Sequence, residues 1–358
     1  RGQPLQSAQG CWSGLLCGGA VSHGAAIFGC AGMTLGDAER HLFEASDPVG
    51  FVLFARNIDE PGQVRTLVAA LRESVGREAP VLIDQEGGRV ARLRPPHWRE
   101  APAAARFGEL AKLDRFVAAE AAALNSRLLA DELLALGIDV DCLPVLDVPS
   151  PEADAVIGDR AYGDTAKLVA MLGRAACGGL LAGGVLPVIK HIPGHGRAGA
   201  DSHHALPVVT TPVAELERTD FVPFRDLAGM PLAMTAHVIY TDIDRARPAT
   251  LSPSVIGQVI RGSIGFDGLL LSDDIGMGAL SGPMAERGAA ALAAGCDVVL
   301  HCSGELDEMQ AIAADLPRLD DAGEARFATA LAAKRSPQAF DVAVADSHIA
   351  QLLQAPLS

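Results

Sequence analysis

The chain has 358 residues and carries 29 Lys and Arg against 44 Asp and Glu, a formal net charge of −15 at pH 7. With 49% hydrophobic and 20% charged residues it can bury a large core, which excludes intrinsic disorder, and its acidity argues against nucleic acid as a partner. Aromatics at 4% leave too few rings for a module that stacks sugars on exposed indoles, and no apolar run reaches the roughly 18 residues that a membrane span needs.

Residues 1–23 begin at Arg1 and hold only a short, weak apolar stretch. Leu16 directly before Cys17 does not suit a lipoprotein cleavage site, where a small residue is wanted. The segment is therefore read as a mobile upstream extension in preference to a secretory signal. From residue 24 onward, short apolar runs alternate with longer helical stretches. Strands are predicted over 25–30, 50–55, 80–83, 138–143, 184–189, 231–236, 268–272 and 296–300. Between them helices are predicted over 34–45, 61–75, 106–136, 165–181, 212–227, 252–263, 284–294 and 305–316, the second opening on a proline that suits a first turn. Residues 318–358 read as further helices with a polar hinge at 335–337.

The strand runs are apolar throughout instead of alternating, so both faces are buried, as in a parallel sheet. Eight β-then-α units point to an α/β fold, a single (β/α)8 TIM-type barrel over 24–340 followed by a helical tail over 341–358. A doubly wound open sheet would carry a Gly-rich phosphate turn after its first strand, and GCAGMTLGD is a poor match. The cysteines (Cys11, Cys17, Cys30, Cys142, Cys177, Cys296 and Cys302) are odd in number and scattered, the pattern of buried thiols in a reducing compartment. A cytoplasmic protein is expected.

Polar residues gather at the predicted strand ends: Asp84 and Glu86 at the third, Asp147 beyond the fourth, Lys190 and His191 at the fifth, His237 at the sixth, Asp273 and Asp274 at the seventh. In a barrel these ends converge on one face. The densest stretch, KHIPGHGRAGADSHH over 190–204, is a Gly-rich loop with four histidines. Metal binding is one reading, but the histidines lack fixed helical spacing and Lys190 beside His191 repels a cation. A structural loop with solvated histidines is another. A third is a catalytic loop in which Asp201 orients the His203 imidazole and raises its pKa, making it an acid/base near neutral pH. In GLLLSDDIGM (268–277) an apolar strand runs into two adjacent carboxylates. Capping the next helix accounts for one of them and a nucleophile at a strand end for the other.

These two segments, with VLIDQEGGRV (81–90) ahead of them, closely resemble bacterial β-N-acetylglucosaminidases of glycoside hydrolase family 3, of the NagZ type that works in cell-wall recycling. The resemblance covers about residues 25–340, with three motifs in the family's order. It implies that Asp273 is the nucleophile of a covalent glycosyl-enzyme, that His203 is the acid/base and that Asp201 is its partner. It further implies that Asp84 and Arg92 hold sugar hydroxyls and that Arg160, Lys190 and His191 occupy other sugar-binding positions. His237 and Met277 are placed at the sugar pocket, with packing the alternative; His195 and His204 are read as loop structure. Asp274 is left as a helix cap or supporting group.

The activity so implied is retaining, exo-acting removal of terminal β-linked N-acetylglucosamine from 1,6-anhydro-muropeptides. It would need no metal and no cofactor, and the protein would act as a monomer on a small-molecule glycan, with no nucleic-acid or membrane partner. A β-glucosidase, a glycoside phosphorylase, a metal-dependent barrel hydrolase and a non-catalytic sugar-binding barrel are the rivals.

Overall fold

Eight parallel strands close into a barrel in the computed structural model, which describes residues 22–151 and 156–354. In chain order they are β1 (Gly24–Gly29), β2 (Pro48–Leu53), β3 (Val81–Ile83), β4 (Val140–Asp141), β5 (Leu186–Ile192), β6 (Leu232–Thr235), β7 (Leu269–Asp274) and β8 (Val298–His301). Each pairs with its sequence neighbours, and β8 returns to β1, so that Ile27 faces Leu300 on one side and Gly50 on the other. The fold is a (β/α)8 barrel.

Burial explains the apolar runs. Every residue of β1, β2, β3 and β5 is buried, one face by the barrel interior and the other by the surrounding helices. Val52, Cys142, Met234 and Leu300, from the even-numbered strands or the residue just after, close the interior at the carboxyl end and form the floor of the cavity described below. Burying each such side chain contributes about 1.5–3 kcal/mol.

The structure departs from the sequence reading at several boundaries. β5 runs on through Lys190 and His191, and β7 includes Asp273 and Asp274, so these polar groups sit on strand tips and not past them. The helix predicted over 106–136 is two, Ala104–Ala111 and Arg115–Leu134, because the Asp114 carboxylate accepts from the Phe116 and Val117 amides and starts a new helix. The helix predicted over 212–227 is likewise two short ones, Val213–Leu216 and Val222–Asp226, with Pro223 in the first turn of the second. Val255–Ser263 is wound as a π-helix. A parallel pair of two-residue strands, Val208–Val209 and Ile239–Tyr240, ties the loop after β5 to the loop after β6.

Ser22 and His23, expected in a mobile extension, are instead held. The Ser22 hydroxyl donates to the Leu319 carbonyl at 2.6 Å, and the His23 ring meets Glu324 at 3.0 Å. The rest of that expected extension lies outside the described residues. The helix Val342–Leu353 packs on Arg115–Leu134 and buries Ala345 and Ile349. Cys30, Cys142, Cys177, Cys296 and Cys302 are buried free thiols, while Cys11 and Cys17 lie outside the described residues. Among the described residues no helix is long and apolar enough to cross a membrane.

Candidate active site

A cavity of about 310 Å³ opens at the carboxyl ends of the strands. Its walls begin with a compact charge cluster. Lys190, carried by the tip of β5, donates to Asp84 Oδ1 and lies equally close to Glu86 Oε1, both at 2.7 Å. Arg92 Nη2 reaches Asp84 Oδ2 at 3.0 Å, and Arg160 clasps both Glu86 oxygens at 2.8 and 2.9 Å. Burial by itself would raise the Asp84 carboxyl, but Lys190 and Arg92 outweigh it and hold the group well below the usual range. Against the same burial, Lys190 and Arg160 hold Glu86 down. Three cations thus face two carboxylates, leaving the cluster formally positive inside an acidic protein. The Arg92 guanidinium also lies 5.0 Å over the Phe54 ring, which fixes its plane. Asp84, Arg92, Arg160 and Lys190 all line the cavity.

Asp147 organises the histidines from beneath. Its Oδ2 meets His191 Nδ1 at 2.7 Å, and its Oδ1 accepts from the His195 amide at 2.6 Å. A carboxylate only accepts, so His191 carries its hydrogen on Nδ1. Burial pushes the Asp147 carboxyl up, but His191 and then His195 bring it down to about 2. Burial, and then His191, bring His195 down to about 4 from an ordinary 6.5, so its ring is neutral at neutral pH.

The sign of the resulting pH dependence follows directly. Between pH 6.5 and about 4 the unfolded chain takes up a proton at His195 that the folded chain refuses. Stability present above pH 6.5 is therefore lost as the pH falls through about 4, by an amount on the order of 3 kcal/mol. Asp147 adds a further loss in the same direction below its ordinary value of 3.8. Urea midpoints are expected to fall between about pH 7 and pH 4.5, and to fall less in a His195→Gln variant; an identical fall in that variant would remove His195 from the account.

Asp273 lies on the tip of β7 at the cavity wall. Its amide donates to Thr235 Oγ1 at 3.3 Å, and its Oδ1 accepts from the Asp274 amide at 2.8 Å. Burial would raise this carboxyl, but His237, His191, the Asp274 amide and Lys190 together keep it below the usual carboxylate range. Its neighbour goes the other way: burial, reinforced by Asp273, raises Asp274 despite amides from Gly276 at 2.9 Å and Cys302 at 3.1 Å. Two adjacent acids are pushed apart, one carboxyl held below the usual range and the other raised above it. Asp274 caps no helix, since the next begins at Met284; it knits the end of β7 to the end of β8.

On the loop after β5, Asp201 Oδ1 meets His203 Nδ1 at 2.7 Å and also accepts the His203 amide at 2.9 Å. Burial would raise Asp201, but the His203 amide and ring hold it down, so the carboxylate is ionised and His203 Nε2 is left for other work. Both residues line the same cavity as Asp273, and so do His191 and Met277.

His237 is a correction. Expected at the sugar, it is buried behind β7 and does not line the cavity. Its Nε2 donates to the Asp274 carbonyl at 2.9 Å and its Nδ1 meets Thr250 Oγ1 at 2.7 Å, so neither ring nitrogen faces a ligand. Its place is to support the strand that carries Asp273. Glu86 and Asp147, strand-end acids to which the sequence assigns no role, are the groups that hold Arg160, Lys190 and His191. The histidines of the 190–204 segment do not converge: His191 goes to Asp147, His195 Nε2 to Ser202 Oγ and His203 to Asp201. Among the described residues no group of three His, Cys, Asp or Glu side chains is placed to hold an ion.

A buried carboxylate kept ionised beside a cavity can attack an electrophilic carbon, and an imidazole oriented through Nδ1 can pass a proton through Nε2. Comparison with known proteins gives a consistent context. The family model described as the glycosyl hydrolase family 3 N-terminal domain matches residues 34–332. A beta-hexosaminidase of Alkalilimnicola ehrlichii is 41% identical over 314 residues, covering 85% of this chain and 87% of its own. One of Pseudomonas aeruginosa is 38% identical over 294 residues, covering 81% and 86%. The crystal structure of NagZ from Neisseria gonorrhoeae in complex with N-trifluoroacetyl-D-glucosamine matches with a TM-score of 0.84 and 31% identity, covering 93% of this chain and 99% of that one.

Proposed function

Because the chain belongs to glycosyl hydrolase family 3, we propose that it is a retaining exo-β-N-acetylglucosaminidase that uses Asp273 as nucleophile and His203, oriented by Asp201, as acid/base. The observation that carries this reading is that a carboxylate held ionised and an Asp–His pair line one cavity.

In the first step an Asp273 oxygen forms a bond to the anomeric carbon of a terminal N-acetylglucosamine while the glycosidic carbon–oxygen bond breaks. His203 Nε2 gives its proton to the departing oxygen. In the second step a water loses a proton to the same nitrogen and attacks the anomeric carbon, and Asp273 leaves as carboxylate. Two inversions give retention. Asp84, Arg92, Arg160, Lys190 and His191 hold the sugar's polar groups, Met277 covers one face, and His237, His191, the Asp274 amide and Lys190 keep Asp273 ionised.

The relatives named beta-hexosaminidase and the neighbour bound to a glucosamine derivative support N-acetylglucosamine as the sugar. For the other side of the bond we take 1,6-anhydromuramyl fragments, which carry carboxylates that a formally positive cluster tolerates. The corresponding role is peptidoglycan recycling in the cytoplasm, by a monomer whose catalytic barrel spans 24–340 and is followed by the helix Val342–Leu353.

Product analysis tests the reading. With a β-linked N-acetylglucosaminide in phosphate buffer, the first-formed product is expected to be free N-acetylglucosamine in the β configuration, at a rate unaffected by chelator. Glycosyl phosphate as product would make the protein a phosphorylase, loss of activity in chelator would make it metal-dependent, and tight binding without turnover would make it a sugar-binding barrel.

A further inference from the structure

The Asp201–His203 hydrogen bond is internal to one loop, so it orients the imidazole without fixing where the loop lies. His203 itself is 60% exposed and Asp201 32%. Ser202, between them, is buried. Its Oγ meets Nε2 of His195 at 3.1 Å, and its carbonyl accepts from the Ala279 amide at 3.1 Å. The His203 carbonyl accepts from the Gly278 amide at 3.2 Å. Gly278 and Ala279 lie on the loop that follows Asp273 out of β7. The segment bearing the acid/base is thus seated on the segment bearing the nucleophile, and pinned from the side by a buried imidazole whose own amide is held by Asp147.

We propose that Ser202 and His195 are positioning residues for proton transfer, and that Gly278 is the bare backbone seat on which His203 rests. This builds on the reading of His203 as acid/base. The glycine has a steric reason: a Cβ there would stand 2.8 Å from the His203 carbonyl oxygen and 3.3 Å from that of His204, both backbone atoms that move only if the loop lifts. Proton transfer falls off steeply when donor and acceptor leave hydrogen-bond reach, so a loop displaced by about 1 Å loses much of its contribution while sugar binding is untouched. Losing the Ser202 hydroxyl removes the lateral pin. Adding a methyl group at Gly278 raises the seat.

Steady-state kinetics on two substrates tests this. One is 4-nitrophenyl β-N-acetylglucosaminide, whose leaving group departs without protonation; the other is a β-linked N-acetylglucosamine disaccharide, whose leaving alkoxide does not. Ser202→Ala and Gly278→Ala are each expected to lower kcat/KM on the disaccharide about tenfold to a hundredfold, and kcat/KM on the aryl glycoside, which reports the first step alone, by less than about threefold. Ser202→Thr, which keeps the hydroxyl, is expected to restore the disaccharide rate. In a His203→Ala background, Ser202→Ala is expected to cost nothing further. Equal losses on both substrates would overturn the proposal, and so would full disaccharide activity in both single variants while His203→Ala alone shows leaving-group selectivity. If His203→Ala itself lost both activities equally, the acid/base reading would fall and the seat with it.

Discussion

Asp273→Ala is expected to lower kcat by roughly 10⁵-fold on every β-N-acetylglucosaminide tested, while affinity for N-acetylglucosamine stays within a few-fold. The size of the loss follows from the step removed. Without the Asp273 carboxylate the proposed covalent intermediate cannot form, and the oxocarbenium-like transition state loses its anionic partner, an effect of about 7 kcal/mol. Binding survives because the sugar's polar groups are assigned to Asp84, Arg92, Arg160, Lys190 and His191, none of which uses Asp273 as a hydrogen-bond partner. Titration calorimetry with N-acetylglucosamine alongside turnover checks both halves. A variant with ordinary kcat would remove Asp273 from the chemistry. His237, His191, the Asp274 amide and Lys190 hold the Asp273 carboxyl below the usual range against its burial, which favours the ionised form that the proposed nucleophile needs.

His203→Ala should separate substrates by their leaving groups. On a disaccharide the departing alkoxide needs its proton, and the expected loss is about 10²- to 10⁴-fold. On 4-nitrophenyl β-N-acetylglucosaminide the first step proceeds without that proton, and the intermediate is expected to accumulate as its hydrolysis, which needs the base, becomes rate-limiting. A burst of nitrophenol followed by a slow steady state is the signature to measure. Equal losses on both substrates with no burst would place His203 among structural residues. In the proposed mechanism an imidazole takes the place of the second carboxyl of the usual retaining pair, so the carboxylate separation of about 5–5.5 Å is no guide to stereochemistry. An imidazole also repels an anionic aglycone less than a second carboxylate would.

The barrel was legible because its strands are sealed on both faces, which leaves an unbroken apolar run such as VLI at β3 or LLL in β7. The strand tips were misjudged for the same reason. Lys190, His191, Asp273 and Asp274 read as loop because they are polar, yet the ladder continues through them, with Ile192 opposite Thr235 and Leu300 opposite Asp274. The alanine-rich stretch around Asp114 hid a helix boundary, since propensity summed over many alanines masks one capping carboxylate. Strands of two residues such as Val208–Val209 are too short to show any period.

Within the site, the Asp-x-His spacing of 201–203 is legible because it is a contact between near neighbours, which lie 2.7 Å apart. Partnerships between strands are not. Glu86 and Arg160 are 74 residues apart in sequence, and Asp147 and His191 are 44 apart. Each pair comes together only when neighbouring strands, β3 beside β4 and β4 beside β5, are laid side by side. His237 shows the opposite error: a histidine at a strand end looks like a ligand contact until both its nitrogens are found engaged by Thr250 and the Asp274 carbonyl.

The proposed mechanism stands on a covalent bond between Asp273 and the sugar. The direct measurement is to incubate the protein with a slow-reacting 2-acetamido fluorosugar, digest it and locate the added mass among the peptides. One sugar per chain is expected, attached within the peptide that contains Asp273 and absent after Asp273→Ala. A label on any other residue, or complete turnover of the reagent with no labelled peptide in an active protein, would contradict the mechanism.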